Sequence, residues 1–113
     1  FLSSPSNPVG PALRPDELTR LVRAVRPGTL FVLDEAYFEF ADADTADGLG
    51  GLRESGLPFV VLRTFSKAYG LAGLRVGYAV ASDAVLARAV AAAKTPFNVN
   101  MAAQLAALAA LED

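Results

Sequence analysis

The chain of 113 residues contains no cysteine and no histidine. Without cysteine it has no disulfide framework and no thiolate metal site. Without histidine it builds by itself neither a Ser-His-Asp triad nor a histidine zinc site. An excess of one charge is missing as well. Lys+Arg total 10 against Asp+Glu 12, a formal charge of -2, so there is no basic stripe to make an electrostatic case for nucleic acid. Long apolar runs are also absent. Val99 to Leu111 is apolar apart from Asn100 and Gln104, but it is short against the roughly 20 residues that cross a bilayer. No secretory signal pattern is visible.

Apolar residues, by contrast, are plentiful, at 53% of the chain. That is high for a small domain, whose large relative surface needs polar cover. It predicts surface meant to be buried against something else. The length suits one domain or part of one. The chain opens Phe1-Leu2-Ser3 without an initiator Met and stops at Glu112-Asp113, just after an apolar helical pattern. We expect the central part of a longer protein.

The order of elements follows from punctuation and periodicity. Phe1 to Ser4 reads as the end of a strand, and Ser4-Pro5-Ser6-Asn7-Pro8-Val9-Gly10-Pro11 as a turn-rich loop. Pro15-Asp16-Glu17 opens a helix with Leu18, Leu21, Val22 and Val25 on one face, stopped by Pro27-Gly28. Thr29 to Leu33 is a continuous apolar run ending at Asp34, as suits a strand buried on both faces of a parallel sheet. An acidic, glycine-rich loop, Asp42 to Gly51, leads to a short helix near Leu52 to Ser55. Pro58 to Arg63 is a second buried strand, and Arg75 to Val80 a third. Ser82 is the expected cap of a helix carrying Val85, Leu86, Ala89, Val90 and Ala93. Asn100 is the expected cap of a last helix with Leu105, Leu108 and Leu111 in a stripe. The alternation predicts an α/β fold, a mostly parallel sheet flanked by helices.

In such a sheet, ligands gather beyond the carboxyl ends of the strands. Asn7, Asp34 and Lys67 each follow a predicted strand, so three strands deliver polar groups to one edge. Lys67 is flanked by the hydroxyls of Thr64, Ser66 and Tyr69, with Arg75 eight residues on and Asp34-Glu35-Ala36-Tyr37 upstream. This set reads as a site for pyridoxal 5'-phosphate (PLP): an amine for the aldehyde, a carboxylate for the pyridine nitrogen, donors for the phenolic oxygen, and cation plus hydroxyls for the phosphate. Plain alternatives stand beside each assignment. A lysine is usually solvated, Asp34 with Glu35 is placed to cap the next helix, Tyr37 could be a core aromatic, and Asn-Pro marks turns in many proteins. Gly70, Gly73 and Gly77 do not match G-x-G-x-x-G, and we read them as packing or turn glycines.

The segment Arg63-Thr64-Phe65-Ser66-Lys67-Ala68-Tyr69-Gly70-Leu71-Ala72-Gly73-Leu74-Arg75, with Asp34-Glu35-Ala36-Tyr37 and Ser4-Pro5-Ser6-Asn7-Pro8, resembles the fold-type I, class I/II aminotransferases. Within them it is most similar to histidinol-phosphate aminotransferases and their aromatic-transaminase relatives. The resemblance runs over essentially the whole chain, with three motifs in the family's order. It implies that residues 1–113 are the central part of the large PLP-binding domain, without the N-terminal arm and C-terminal small domain. It implies Lys67 as the lysine that binds the cofactor and shuttles a proton, with Asp34 on the pyridine nitrogen. Tyr37 and Asn7 would donate to the phenolic oxygen, Ala36 would pack on the ring, and Thr64, Ser66 and Arg75 would hold the phosphate. Glu35 is left as structural.

The implied reaction moves the amino group of L-histidinol phosphate to 2-oxoglutarate in two half-reactions. The alternatives are a phenylalanine or other aromatic aminotransferase, an amino-acid-phosphate decarboxylase, or a non-catalytic PLP-binding module of a regulator. A cytoplasmic homodimer is the further implication, with small-molecule partners, no nucleic acid and no membrane. Val9 and Ser6 depart from the family's commoner threonine and asparagine, but neither is an implied ligand.

Overall fold

A computed structural model describes residues 1–112. Its four strands are β1 (Leu2–Ser3), β2 (Phe31–Asp34), β3 (Phe59–Thr64) and β4 (Gly77–Ala81). Its four α-helices are α1 (Pro15–Ala24), α2 (Gly48–Ser55), α3 (Ala84–Ala92) and α4 (Met101–Ala110). The strands lie side by side in chain order. β1, β2 and β3 are parallel, in a register that sets Ser3 beside Asp34 and Asp34 beside Leu62. Parallel neighbours need a crossover, and α1 and α2 supply the two. β4 runs antiparallel to β3, with Gly77 opposite Thr64. The expected class, a mostly parallel sheet flanked by helices, is what forms.

The apolar runs of β2 and β3 divide by alternation. Phe31, Leu33, Phe59 and Val61 join Leu18 of α1 and Leu52 of α2 in one buried cluster. Val32 and Val60 face the other way and are buried too, as expected of strands covered on both sides. A second cluster joins Phe65 and Val76 to Ala103 and Ala107 of α4.

Local chemistry explains the helix ends. Pro15 takes the first position of α1, and the Glu17 carboxylate accepts from the Arg14 amide at 2.9 Å. α1 ends at Ala24, before the residue preceding Pro27, a position that disfavours helix. Its Leu21 is exposed, off the buried face. α2 begins earlier than expected, at Gly48. Asn100 caps α4, its Oδ1 accepting from the Ala103 amide at 2.9 Å.

The cap of α3 is Asp83 and not Ser82. Asp83 Oδ1 accepts from the amides of Val85 and Leu86 at 2.8 and 2.9 Å, while the Ser82 hydroxyl donates to the same carboxylate. The Leu86 amide, the Ser82 hydroxyl and the Val85 amide hold this carboxyl below its ordinary value. A lowered carboxylate stabilises the fold above the unfolded pKa, and the contribution is lost as pH falls through the folded value.

The leucine stripe of α4 is not the face that packs inward. Leu105, Leu108 and Leu111 are exposed, and Ala103 and Ala107 face inward. These small side chains pack against Phe65 and Val76. The apolar excess in the sequence therefore lies partly on the surface, at Val85, Val90, Phe97, Met101 and the α4 leucines. Among the described residues no helix is long and apolar enough to cross a membrane.

Gly48 is where space is tightest. A β-carbon there would overlap Glu35 Oε1 and Leu33 Cδ2, both fully buried side chains. Gly48→Ala should destabilise the protein by about 1–3 kcal/mol, the usual range for overpacking. A thermal unfolding midpoint equal to wild type would show that the Glu35 side chain yields freely.

Candidate functional site

The parallel strands β1, β2 and β3 all end at one edge of the sheet. Because β4 is reversed, its beginning lies at that same edge, so the residues entering it join the loops leaving the other three. Each loop is held by its own hydrogen bonds. After β1, the Ser4 amide donates to the Asp34 carbonyl at 3.0 Å, tying the first loop to the end of β2. The turn carrying Asn7 closes through Gly10 N to Ser6 O at 2.6 Å and Ser6 N to Pro11 O at 2.8 Å. Asn7 Nδ2 then donates to Tyr37 Oη at 3.1 Å.

Asp34 is the last residue of β2. Its Oδ1 accepts from the Ala36 amide at 3.0 Å, an Asx turn that aims the carboxylate off the strand end. Among the described residues, Oδ2 accepts no hydrogen bond. The helix-capping alternative is not met, because the bond to Ala36 closes a turn and the 3-10 turn that follows starts from Tyr37 without a side-chain cap. Tyr37 follows at the entry to a single 3-10 turn, Phe38–Phe40.

Thr64 ends β3. Its Oγ1 accepts from the Ser66 amide at 3.1 Å, and Phe65 is buried behind it against Tyr69, ring centroids 4.9 Å apart. Phe65 pins the loop, so Ser66 and Lys67 are presented on its outer side. The Gly70 amide donates to the Lys67 carbonyl at 3.0 Å, and Gly70 itself has φ 66°, a left-handed turn that glycine adopts without steric cost. Lys67 Nζ lies 5.1 Å from the centre of the Tyr37 ring, and no described carboxylate is in ion-pair range of it. Lys67 is exposed, so these residues do not themselves supply the desolvation that favours an unprotonated amine.

Arg75 is not in a strand. It follows the 3-10 turn Ala72–Leu74 with φ 55° and donates through Nη1 to the Ala72 carbonyl at 2.7 Å. The left-handed backbone breaks the ladder, and pairing begins at Gly77. An arginine held in this conformation is strained by about 1 kcal/mol or more, and the bend turns its side chain towards the loop carrying Lys67.

Asp34, Ala36, Thr64, Ser66, Lys67 and Arg75 line one cleft of about 360 Å³, together with Leu62, Arg63 and Ala72. Six of the eight residues expected to bind a cofactor therefore meet on one surface. Asn7 and Tyr37 stand beside it, joined to each other and, through the Tyr37 ring, to Lys67.

Arg63 has no role in the expected set. It lines the cleft and forms an ion pair with Glu35, its Nη2 and Nε both 2.8 Å from Oε2. Opposite charges at the ends of two buried apolar strands were the available signal.

The chain belongs to the class I and II aminotransferase family, which it matches over residues 1–113. It is 53% identical to histidinol-phosphate aminotransferase 3 of Rhizobium meliloti (strain 1021) over 114 residues, 100% of this chain and 31% of that protein. It is 52% identical to an aromatic amino acid aminotransferase of Rhodococcus opacus (strain B4) over 111 residues, 98% of this chain and 30% of the relative. The crystal structure of histidinol-phosphate aminotransferase from Sinorhizobium meliloti in complex with pyridoxal-5'-phosphate superposes with a TM-score of 0.83 at 36% identity, covering 99% of this chain and 31% of that one. The chain thus spans about a third of the length of these relatives.

Proposed function

We propose that residues 1–113 are the central part of the PLP-binding domain of an aminotransferase, acting on L-histidinol phosphate with 2-oxoglutarate as acceptor. The observation that carries this is the convergence of Asp34, Thr64, Ser66, Lys67 and Arg75 on one cleft at the sheet edge. Membership of the aminotransferase family, and half-identity to histidinol-phosphate aminotransferases, support it.

The donor set fits PLP. Among the described residues, an amine free of carboxylate partners, a carboxylate oxygen without a hydrogen bond, a small residue and a cation with hydroxyls line the same space. When bound, that cofactor supplies an aldehyde carbon and an electron-accepting ring. Lys67 Nζ is the amine that would take up the aldehyde. Freed by an amino donor, it would move a proton between the donor's α-carbon and the carbon that carried the aldehyde. Asp34 would hold a proton on the ring nitrogen. Tyr37 Oη, already accepting from Asn7, has its own proton left to donate to the phenolic oxygen. Arg75 offers a fixed fork of donors to the phosphate, with Thr64 and Ser66 beside it. The protein is read as a cytoplasmic homodimer with no nucleic-acid or membrane partner.

An aromatic amino donor is the second reading, favoured by the comparable identity to aromatic amino acid aminotransferases. The test uses the parent protein with PLP, given L-histidinol phosphate, phenylalanine or glutamate separately. Rapid loss of the visible band with L-histidinol phosphate, and slow or no loss with phenylalanine, is the expected result. The reverse order assigns the aromatic reading. A band that no donor bleaches would leave a non-catalytic binder.

A further inference from the structure

Glu35 is the most deeply buried charged residue described, 1% exposed, and Arg63 is its partner at 16% for the side chain. They lie 28 residues apart in sequence and side by side in space, one past the end of β2 and one within the end of β3. The Glu35 amide extends the β2–β3 ladder by donating to the Leu62 carbonyl at 2.9 Å. Arg63 Nε and Nη2 both reach Glu35 Oε2, and its guanidinium carbon lies 3.9 Å from the centre of the Phe38 ring. Arg63 is thus held at its edge by a carboxylate and on its face by an aromatic. Burial pushes the Glu35 carboxyl up from its ordinary value, and Arg63 pulls it part of the way back. Desolvation pulls Arg63 down, but the bond and attraction to Glu35, with Tyr78 assisting, hold it above its ordinary value.

The chain neighbours of this pair are Asp34 and Thr64, which face the cleft that Arg63 also lines. We infer that the Glu35–Arg63 pair positions the cofactor anchors, fixing Asp34 against the Thr64-to-Lys67 loop, and that Glu35 neutralises a cation lining the same cleft as Lys67. Neither residue touches the cofactor in this reading. They act through the groups that do, as outer partners orient ligands in other sites. The inference rests on the PLP reading of the cleft.

The experiment compares wild type, Glu35→Gln and Arg63→Lys in the parent protein. It measures the PLP dissociation constant of the apo form, the pH midpoint of the visible band and the thermal unfolding temperature. Glu35→Gln keeps an acceptor but leaves Arg63 uncompensated. A bare cation near Lys67 disfavours a protonated nitrogen there. The expected result is a PLP constant about tenfold weaker and a midpoint lower by about half a pH unit. Arg63→Lys keeps the charge but loses the fork, so it should weaken PLP binding with the midpoint held. This second variant carries the test if Glu35→Gln fails to fold. A lower unfolding temperature with constant and midpoint at wild-type values in the variants would make the pair merely structural and overturn the inference. Wild type without a Lys67-dependent band would overturn the cofactor reading and the inference together.

Discussion

Lys67→Ala is expected to lower aminotransferase turnover by about 10,000-fold or more, the upper range for a positioned proton-transfer group, because the same nitrogen is assigned a covalent role as well. The visible band given by PLP should vanish with it. No other amine stands ready in the cleft. The chain has one further lysine, Lys94, which lies between α3 and α4 and is not among the cleft residues. Lys67→Arg separates charge from nucleophilicity. Arginine keeps the positive charge but is not deprotonated in proteins, so it should be as inactive as alanine. Folding should survive both changes, because Lys67 is exposed and its carbonyl, not its side chain, holds the turn to Gly70. Turnover in Lys67→Arg near the wild-type rate would mean that the site needs a cation and not an amine, and the PLP reading would fall.

The site and the fold were legible in the sequence to different depths. Val32, Val60 and their neighbours announce buried strands because both faces of those strands are covered, and apolar runs record burial directly. The acid and the lysine follow these runs, so their common edge could be read from chain order alone. The direction of β4 could not. An apolar strand carries no mark of whether it runs parallel or antiparallel, and it is the reversal that brings Arg75 to the edge. Nor could the left-handed turn at Arg75, since arginine has no preference for that conformation. The α4 stripe left the packing open, because periodicity identifies faces without saying which face packs. The face that packs carries Ala103 and Ala107. Ser82 and Asp83 are both good caps, and a single position separates them. The Glu35–Arg63 pair is non-local, and its geometry emerges only when β2 and β3 are set in register.

Asp34 offers the second large effect, and the cleanest separation of role from scaffold. Its two oxygens have different work: Oδ1 holds the Ala36 amide at 3.0 Å, and Oδ2 has no partner among the described residues. Asparagine preserves the first function, since its carbonyl oxygen accepts from the same amide. It removes the charge that the second function needs. Without that charge the ring nitrogen loses its proton and the ring draws electrons less strongly. A hydrogen bond to a charged group contributes about 1.5–3 kcal/mol, and each 1.36 kcal/mol in a barrier is tenfold in rate. Asp34→Asn should therefore slow turnover by roughly a hundredfold with the unfolding temperature close to wild type. Asp34→Ala should lose the turn as well, and with it some stability. Were Asp34→Asn to turn over at the wild-type rate while Asp34→Ala unfolded early, the carboxylate would hold the turn at Ala36 and nothing more. The proton on the ring nitrogen would then need another keeper, and the neighbouring carboxylate, Glu35, is buried and already paired with Arg63.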